Sequence, residues 1–456
     1  MDELGGALRE LARQAHAPTP VDPAALWARG RTRVRRRRMA VAATAVVLAV
    51  LGSLAVIRPE PRAVMPAGAP HAPAIPKNIY EPNRFLAGVS KAGPPGRLAV
   101  IAAHGWREGG GPWFGISATT GRYSELDLPD LASGGPMRLS PDGLRIAYWI
   151  TGPTRKKDFG PRTRSSAGGP LPDKPLAGVA VYDTRNGSVV RHRILSDYGL
   201  DSDAQVSWLD DDTIAFSYSV ATGTNSGRSA GAYRWTPGSS APVTIPGQPF
   251  DGARYVPAFP PIRLVHNNDD ATPYVVTDTR ARPTGMKVVT PGTDTVPNAV
   301  TFSRRWVVEL GTMSSPAIDR VFAGPRGRDN RAAALAPIGT IVLPRFLGWQ
   351  SDARIVVFAN PGRLIGGRVE MAQSQDPPRY LYEVDLDARK VRRLGTIDAD
   401  LPDVSIQVAR TLLAHPMVLG RRPPSLLEVF RVPLTVGGIT LLAGAAWIVV
   451  RRRRRA

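Results

Sequence analysis

The sequence predicts a mainly β chain: one array of short-strand units, flanked by two transmembrane helices. Three observations predict this. A strand–turn–strand pattern recurs at a spacing of about 47 residues. Gly (45) and Pro (44) fill roughly a fifth of the 456 residues, which disfavours an all-helical chain and suits strands joined by turns. Two uncharged runs, 39–57 and 432–450, each abut a cluster of arginines.

The repeat is clearest at Leu139-Ser140-Pro141-Asp142-Gly143-Leu144-Arg145-Ile146-Ala147-Tyr148, where Pro, Asp and Gly supply the turn between two strands. Trp208 to Phe216 and Trp349 to Phe358 have the same form, and Phe302 to Val308 is an eroded copy. A further copy is due near Tyr255, a Pro-rich stretch where the pattern is poor. The interval from 139 to 208 exceeds the period by about the length of a Gly/Pro/basic insertion, 153–176. Each unit also has a second hairpin, as in Val179 to Val190, which turns about Asn186-Gly187.

A period of about 47 holding several short strands is that of propeller blades. The array therefore reads as a single β-propeller of six blades, near 84–130, 137–197, 204–247, 253–292, 298–342 and 346–396. Seven blades is the alternative. Val404 to Ala409 is then a closing strand that joins the first blade.

Each apolar run, at about 1.5 Å per residue, is long enough to span a hydrocarbon core as a helix. Arg35 to Arg38 precede the first run and Arg451 to Arg455 follow the second, which predicts that both ends are cytoplasmic. The expected organisation is a cytoplasmic Arg-rich segment (1–38), a transmembrane helix (39–57), a Pro-rich linker (58–78), an extracytoplasmic propeller (79–415), a linker (416–431), a second transmembrane helix (432–450) and a cytoplasmic Arg tail (451–456). A cleaved signal peptide is the rival for the first run, but no A-x-A site follows it.

These motifs resemble bacterial β-propellers of the TolB-type and WD-repeat-like superfamily over roughly 80–415. The signature Ser140-Pro141-Asp142-Gly143 is clean once, and no Gly-His…Trp-Asp pair appears. The layout is similar to membrane-anchored propeller proteins of actinobacteria. In some of those the cytosolic piece binds a sigma factor, but 1–38 carries no matching motif.

The chain has no cysteine, which excludes disulfides, thiolate metal sites and thiol catalysis. The six histidines are scattered, so a His-based metal site would need them to converge in space. His266 to Asp270 and Asp210 to Asp212 read as turns before they read as cation sites. Gly227-Arg228-Ser229-Ala230-Gly231 matches a nucleophile elbow, yet strand sequence lies on both sides of it. No phosphate-loop or dinucleotide fingerprint is present, and no cofactor is expected.

The net charge of +21 invites a nucleic-acid reading, but the Arg clusters beside the apolar runs account for much of it. The expectation is no nucleic acid. The candidate site is the basic insertion, with Arg155, Lys156, Lys157, Arg162 and Arg164 as an anionic-ligand loop.

The expected function is a non-enzymatic, membrane-anchored extracytoplasmic propeller: a ligand- or protein-binding scaffold or sensor at the cell envelope. Its partners would be the lipid bilayer and an extracytoplasmic protein, glycan or small ligand. The alternative is a transmembrane regulator whose residues 1–38 bind a cytosolic sigma factor or similar partner. An envelope enzyme ranks last.

Overall fold

A computed structural model of the chain describes residues 10, 72–83, 85–104, 112–132, 137–156, 174–201, 204–221, 227–239, 241–245, 254–257, 264–267, 273–276, 281–283, 297–312, 321–326, 336–365, 368–371, 379–398, 401, 406–425, 444 and 448. The chain divides into two units. Met1–Gly68 with Arg431–Ala456 is one, and it includes only Glu10, Gly444 and Ile448 of the described residues. Ala69–Phe430 is the other, and the strands lie there.

The strands begin with β1 (Asn78–Ile79), β2 (Leu98–Ala103), β3 (Trp113–Ser117) and β4 (Tyr123–Glu125). Next come β5 (Met137–Leu139), β6 (Arg145–Thr151), β7 (Leu176–Asp183) and β8 (Val189–Arg193). The third group is β9 (Gln205–Trp208), β10 (Ile214–Ala221), β11 (Gly227–Trp235) and β12 (Val243–Thr244). The fourth is β13 (Arg254–Pro257), β14 (Leu264–Asn267), β15 (Pro273–Val276) and β16 (Ala281–Pro283). The fifth is β17 (Pro297–Phe302), β18 (Trp306–Thr312), β19 (Val321–Pro325) and β20 (Ala336–Ile338). Last are β21 (Ile341–Ser351), β22 (Arg354–Ile365), β23 (Arg368–Met371), β24 (Arg379–Asp385), β25 (Lys390–Ile397) and β26 (Gln407–Val408).

Groups two to five each make one four-stranded antiparallel sheet in chain order. The copy due near Tyr255 is present as β13, despite its poor pattern. A fifth four-stranded sheet runs β26-β2-β3-β4, so the late strand β26 heads the first blade, with Val408 opposite Val100. The innermost strands neighbour one another in turn: β21 lies beside β26, β26 beside β5, and β5 beside β9.

The middle strands are sandwiched between blades and are buried on both faces, which is why they read as unbroken apolar runs. Ile146 to Ile150 and Leu98 to Ala102 are all buried. The cores lie between sheets: Trp149, Val206, Trp208 and Phe216 pack the second against the third. Val308, Leu310, Trp349 and Ile355 pack the fifth against the last.

Two parts of the expected fold are corrected. Five sheets have the four-stranded blade form, so equal division into six blades, or seven, does not describe the chain. The remaining sheet has six strands, in the order β21-β22-β24-β25-β1, with β23 paired to β22 alone. Strands β21 and β22 run 11 and 12 residues, so β22 has length to spare for a side hairpin with β23. The short β1 joins the outer edge in parallel, Asn78 beside Thr396. Spacing of turn motifs counts turns and is blind to strand length, so it does not foresee this sheet.

The second correction concerns the flanking transmembrane helices. Among the described residues no helix is long and apolar enough to cross a membrane. Within Ala69–Phe430 the described helices are single turns, Val89–Ala92 and a 3-10 turn at Arg410–Ala414. Apart from Gly444 and Ile448, the runs 39–57 and 432–450 lie outside the described residues, as do 1–38 except Glu10, and 58–71.

The first and last described segments of the strand unit meet at one seam. Residues 75–83 and 418–424 lie side by side: Lys77 N–H donates to the Val418 carbonyl at 2.7 Å, and Val418 N–H to that of Ile75 at 3.1 Å. Beside the seam the buried His104 places Nδ1 2.7 Å from Glu81 Oε1, joining the incoming strand to the first blade.

Candidate functional site

Antiparallel order places the first and third turns of each blade at one end of the sheets, and the β6–β7 connection, which holds the basic insertion, at the other. At the root of that insertion the Arg155 N–H donates to the Ser196 carbonyl and the Lys156 N–H to that of Asp197, both at 3.0 Å. The Lys156 ammonium pairs with Asp197 at 2.9 Å and lies 5.1 Å from the Tyr198 ring centroid. Asp197 raises the Lys156 pKa by hydrogen bonding and charge. Lys156 is thus already engaged by a carboxylate of its own chain. Lys157, Arg162 and Arg164 lie outside the described residues.

The opposite end, the turn face, is built by repeated local chemistry. Ser140 Oγ accepts from the N–H of Leu144 (3.1 Å) and of Arg145 (2.9 Å). Ser303 Oγ accepts from the N–H of Arg305 (3.2 Å) and of Trp306 (3.0 Å). Asp210 Oδ1 serves the same purpose for Asp212 and Thr213, at 2.8 and 2.6 Å. A hydroxyl or carboxylate at the head of each turn substitutes for missing backbone acceptors, so Asp210 is a turn former. In the cleanest copy Gly143 takes φ +75°, and a Cβ there would sit 2.0 Å from the Leu98 carbonyl oxygen.

Side chains then latch one blade to the next across this face. Arg145 Nη1 donates to the Asp211 carbonyl at 2.7 Å and also meets the Asp212 carboxylate. Arg305 forms a two-pronged pair with Asp387, at 2.8 and 3.1 Å, and Trp306 Nε1 reaches the same carboxylate at 3.2 Å. The Arg304 N–H donates to Asp352 Oδ1 at 2.8 Å.

Gln407 lines up with the free edge of β5: Leu139 N–H donates to its Oε1 at 3.0 Å, and its Nε2 donates to the Met137 carbonyl. Farther on, Thr411 N–H and Oγ1 both donate to the Pro141 carbonyl at 3.0 Å. The closing segment therefore runs alongside β5. Arg138 falls between the two residues that Gln407 holds, and Arg410 between Gln407 and Thr411. Gly348, at an irregularity of β21, makes room on the other side. A Cβ there would lie 2.6 Å from Leu413 Cδ1 and 3.2 Å from Arg410 Cγ.

Arg138 and Arg410 are each partly accessible to water, yet burial drags each guanidinium down to about 10. Asp211 opposes the fall at Arg410 by its charge. Asp211 itself is pushed up, first by burial and then by the Asp142 carboxylate, with Asp210 and Asp212 adding to it. Among the described residues no hydrogen bond to the Arg410 side chain and no ion pair to either arginine is present. Arg138 donates to the carbonyl of its neighbour Met137 at 3.2 Å.

The sequence reading missed both arginines. The available signal was a charge inside an apolar strand, Met137-Arg138-Leu139, and another inside Val408-Ala409-Arg410-Thr411-Leu412-Leu413. Ser229 lies within β11 opposite Ser219, in strand rather than elbow geometry. Among the described residues no cluster of His, Asp and Glu could hold a metal ion.

No protein-family model and no curated protein matches the chain. Solved structures do match. TolB from Acinetobacter baumannii is 14% identical, with a TM-score of 0.37, covering 69% of this chain and 66% of that one. The C-terminal WD40 domain of Sif2 is 12% identical, with a TM-score of 0.33, covering 63% of this chain and 66% of that one. A prolyl endopeptidase is 10% identical, with a TM-score of 0.37, covering 68% of this chain but 43% of its own. Superpositions this loose carry no argument, so the propeller assignment rests on the sheets of this chain.

Proposed function

We propose that the chain is a non-enzymatic scaffold that presents the turn face of its propeller to a partner protein. The observation that carries this reading is the latching of successive blades on that face by the side chains of Arg145, Arg305 and Asp352, each bonded to a neighbouring sheet. Such bonds hold exposed side chains in fixed positions before a partner arrives, which lowers the ordering cost of association. The opposite end offers a Gly/Pro-rich insertion in which Lys156 is already paired with Asp197. Mixed charge across the turn face, Asp183 beside Arg185 and Asp385 beside Arg354, suits selection of one partner over others.

The test is site-specific photo-crosslinking in cells. A photoreactive residue at Asn186, exposed on the turn face, is compared with one at Lys174, exposed at the opposite end. A discrete adduct from Asn186 and none from Lys174 is expected. Adducts from Lys174 alone would overturn the assignment of the face.

A further inference from the structure

We propose that the seam between residues 75–83 and 418–424 is a docking strip for an anionic lipid surface. The inference is separate from the partner-protein reading and needs no membrane-crossing helix.

Three observations carry it. The first is exposure. Leu419 is the most exposed large apolar side chain among the described residues, at 79%, and its neighbour Val418 is 45% exposed. Phe85 is exposed as well, and it stands two residues past Asn83, whose Nδ2 donates to the Pro424 carbonyl. Apolar side chains gathered on a surface in this way mark a contact site, where single ones do not.

The second observation is the register of the seam. Val418 bridges Pro76 in parallel, a Cβ on Gly420 would sit 2.1 Å from the Asn78 carbonyl oxygen, and the Arg422 guanidinium lies 5.7 Å from the Tyr80 ring centroid. Alternate residues 418, 420 and 422 thus lie along 76, 78 and 80, and the intervening Leu419 and Arg421 are left exposed. One apolar and one cationic side chain are presented next to each other.

The third is charge. No Asp or Glu occurs from 61 to 80 or from 404 to 427, while Lys77, Arg421 and Arg422 are all exposed. None of the three is ion-paired among the described residues, in contrast to Arg185, Arg305 and Arg354. The carboxylate that follows Lys77 in the chain, Glu81, is turned onto the buried His104 at 2.7 Å.

Unpaired cations among exposed apolar side chains match the interface of an anionic bilayer. Their N–H groups meet headgroup phosphates, and Leu419 enters the apolar boundary beneath. A nucleic-acid backbone supplies phosphates but no apolar layer. In the sequence the strip leads, a few residues past Ser425, into the uncharged run 432–450, which has the same affinity for lipid.

The chain has no cysteine, so Leu419→Cys in the full chain can carry a single polarity-sensitive dye. It is mixed with phosphatidylcholine vesicles containing rising fractions of phosphatidylglycerol at constant total lipid, which cancels any other contact of the chain with the bilayer. Emission should shift to the blue as the anionic fraction rises, and spin-labelled lipid should quench it. A dye at Val418→Cys should give the same reading, and one at Leu195→Cys, an exposed leucine away from the seam, should give neither effect. A cation beside an anionic surface strengthens binding about fivefold, so Arg421→Gln/Arg422→Gln should lower the ratio of lipid-contacting to water-exposed dye about twenty-five-fold. Lys174→Gln, at an exposed cation far from the strip in sequence, should leave that ratio unchanged. Equal responses at 419 and 195, a response indifferent to the anionic fraction, or a response to single-stranded DNA and not to vesicles would overturn the proposal.

Discussion

The indole Nε1 of Trp349 donates a 2.9 Å hydrogen bond to Oγ1 of Thr301, which lies in the inner strand of the preceding sheet. Trp208 makes the like bond between the third sheet and the second, reaching the Arg138 carbonyl at 2.9 Å. Both tryptophans are buried and both stand just before the first turn of their repeat, so at these two junctions a single residue fills the core and pins the neighbouring strand. Truncating either to Ala should cost about 3–5 kcal/mol by transfer and cavity terms. Trp349→Phe keeps most of the packing and should cost about 1–3 kcal/mol, since it leaves the buried Thr301 hydroxyl without this donor. Urea denaturation of the full chain measures both.

The seam should be separable from the blades. A Cβ at Gly395 would sit 1.8 Å from the Lys77 carbonyl oxygen, a backbone atom with no freedom to retreat. Gly395→Ala should therefore expel β1 from the edge of β25 and leave the five four-stranded blades paired. Hydrogen exchange should quicken at Asn78 and Ile79, with little change at Ile146 to Ile150. Uniformly faster exchange would show that β1 is required by the whole ring.

Removal of residues 157–173 should leave the propeller intact. The stem of this connection is fixed by Gly152 N–H on the Pro175 carbonyl and by the pairing of Lys156 with Asp197. Shortening a surface connection changes its closure entropy by less than about 1 kcal/mol. A thermal melt of the deletion variant checks this, and a large fall in Tm would mean that the insertion supplies blade structure.

His192 should make stability depend on pH on the acid side of neutrality. It packs against Phe216 and Trp235, at centroid distances of 6.3 and 5.8 Å, and burial lowers its pKa below the ordinary value of 6.5. Between that lowered value and 6.5 the unfolded chain takes up a proton that the folded chain refuses. The contribution is full above the unfolded pKa and is lost as pH falls through the folded one. His192→Phe should flatten the profile of unfolding free energy between pH 5 and 7, and an identical slope in the variant would exclude His192 as its source.

Legibility of the fold in the sequence followed locality. The turns at Ser140, Asp210 and Ser303 are made by side chains two to five residues from the groups they cap, so their chemistry is written in short words. The seam is not, because Thr396 meets Asn78 across a separation of 318 residues and β1 is two residues long. Strand β13 was hidden because Pro257 and its Pro-rich surroundings weaken the strand pattern. Arg138 and Arg410 were hidden for another reason. Gln407 and Thr411 bring their stretch of chain against residues 137–141 across separations of 268 and 270 residues, which no local pattern records.

The parallel lay of residues 75–83 beside 418–424 also has a mechanical consequence. The incoming and outgoing chains advance in the same direction, so tension drawing the two ends apart slides one segment along the other. The bonds at Lys77, Val418 and Ile75 are then loaded together in shear, where peeling would break them singly. A propeller fastened this way should bear a pull between its ends far better than its two-residue strands would lead one to expect, and should yield in one abrupt step when it does.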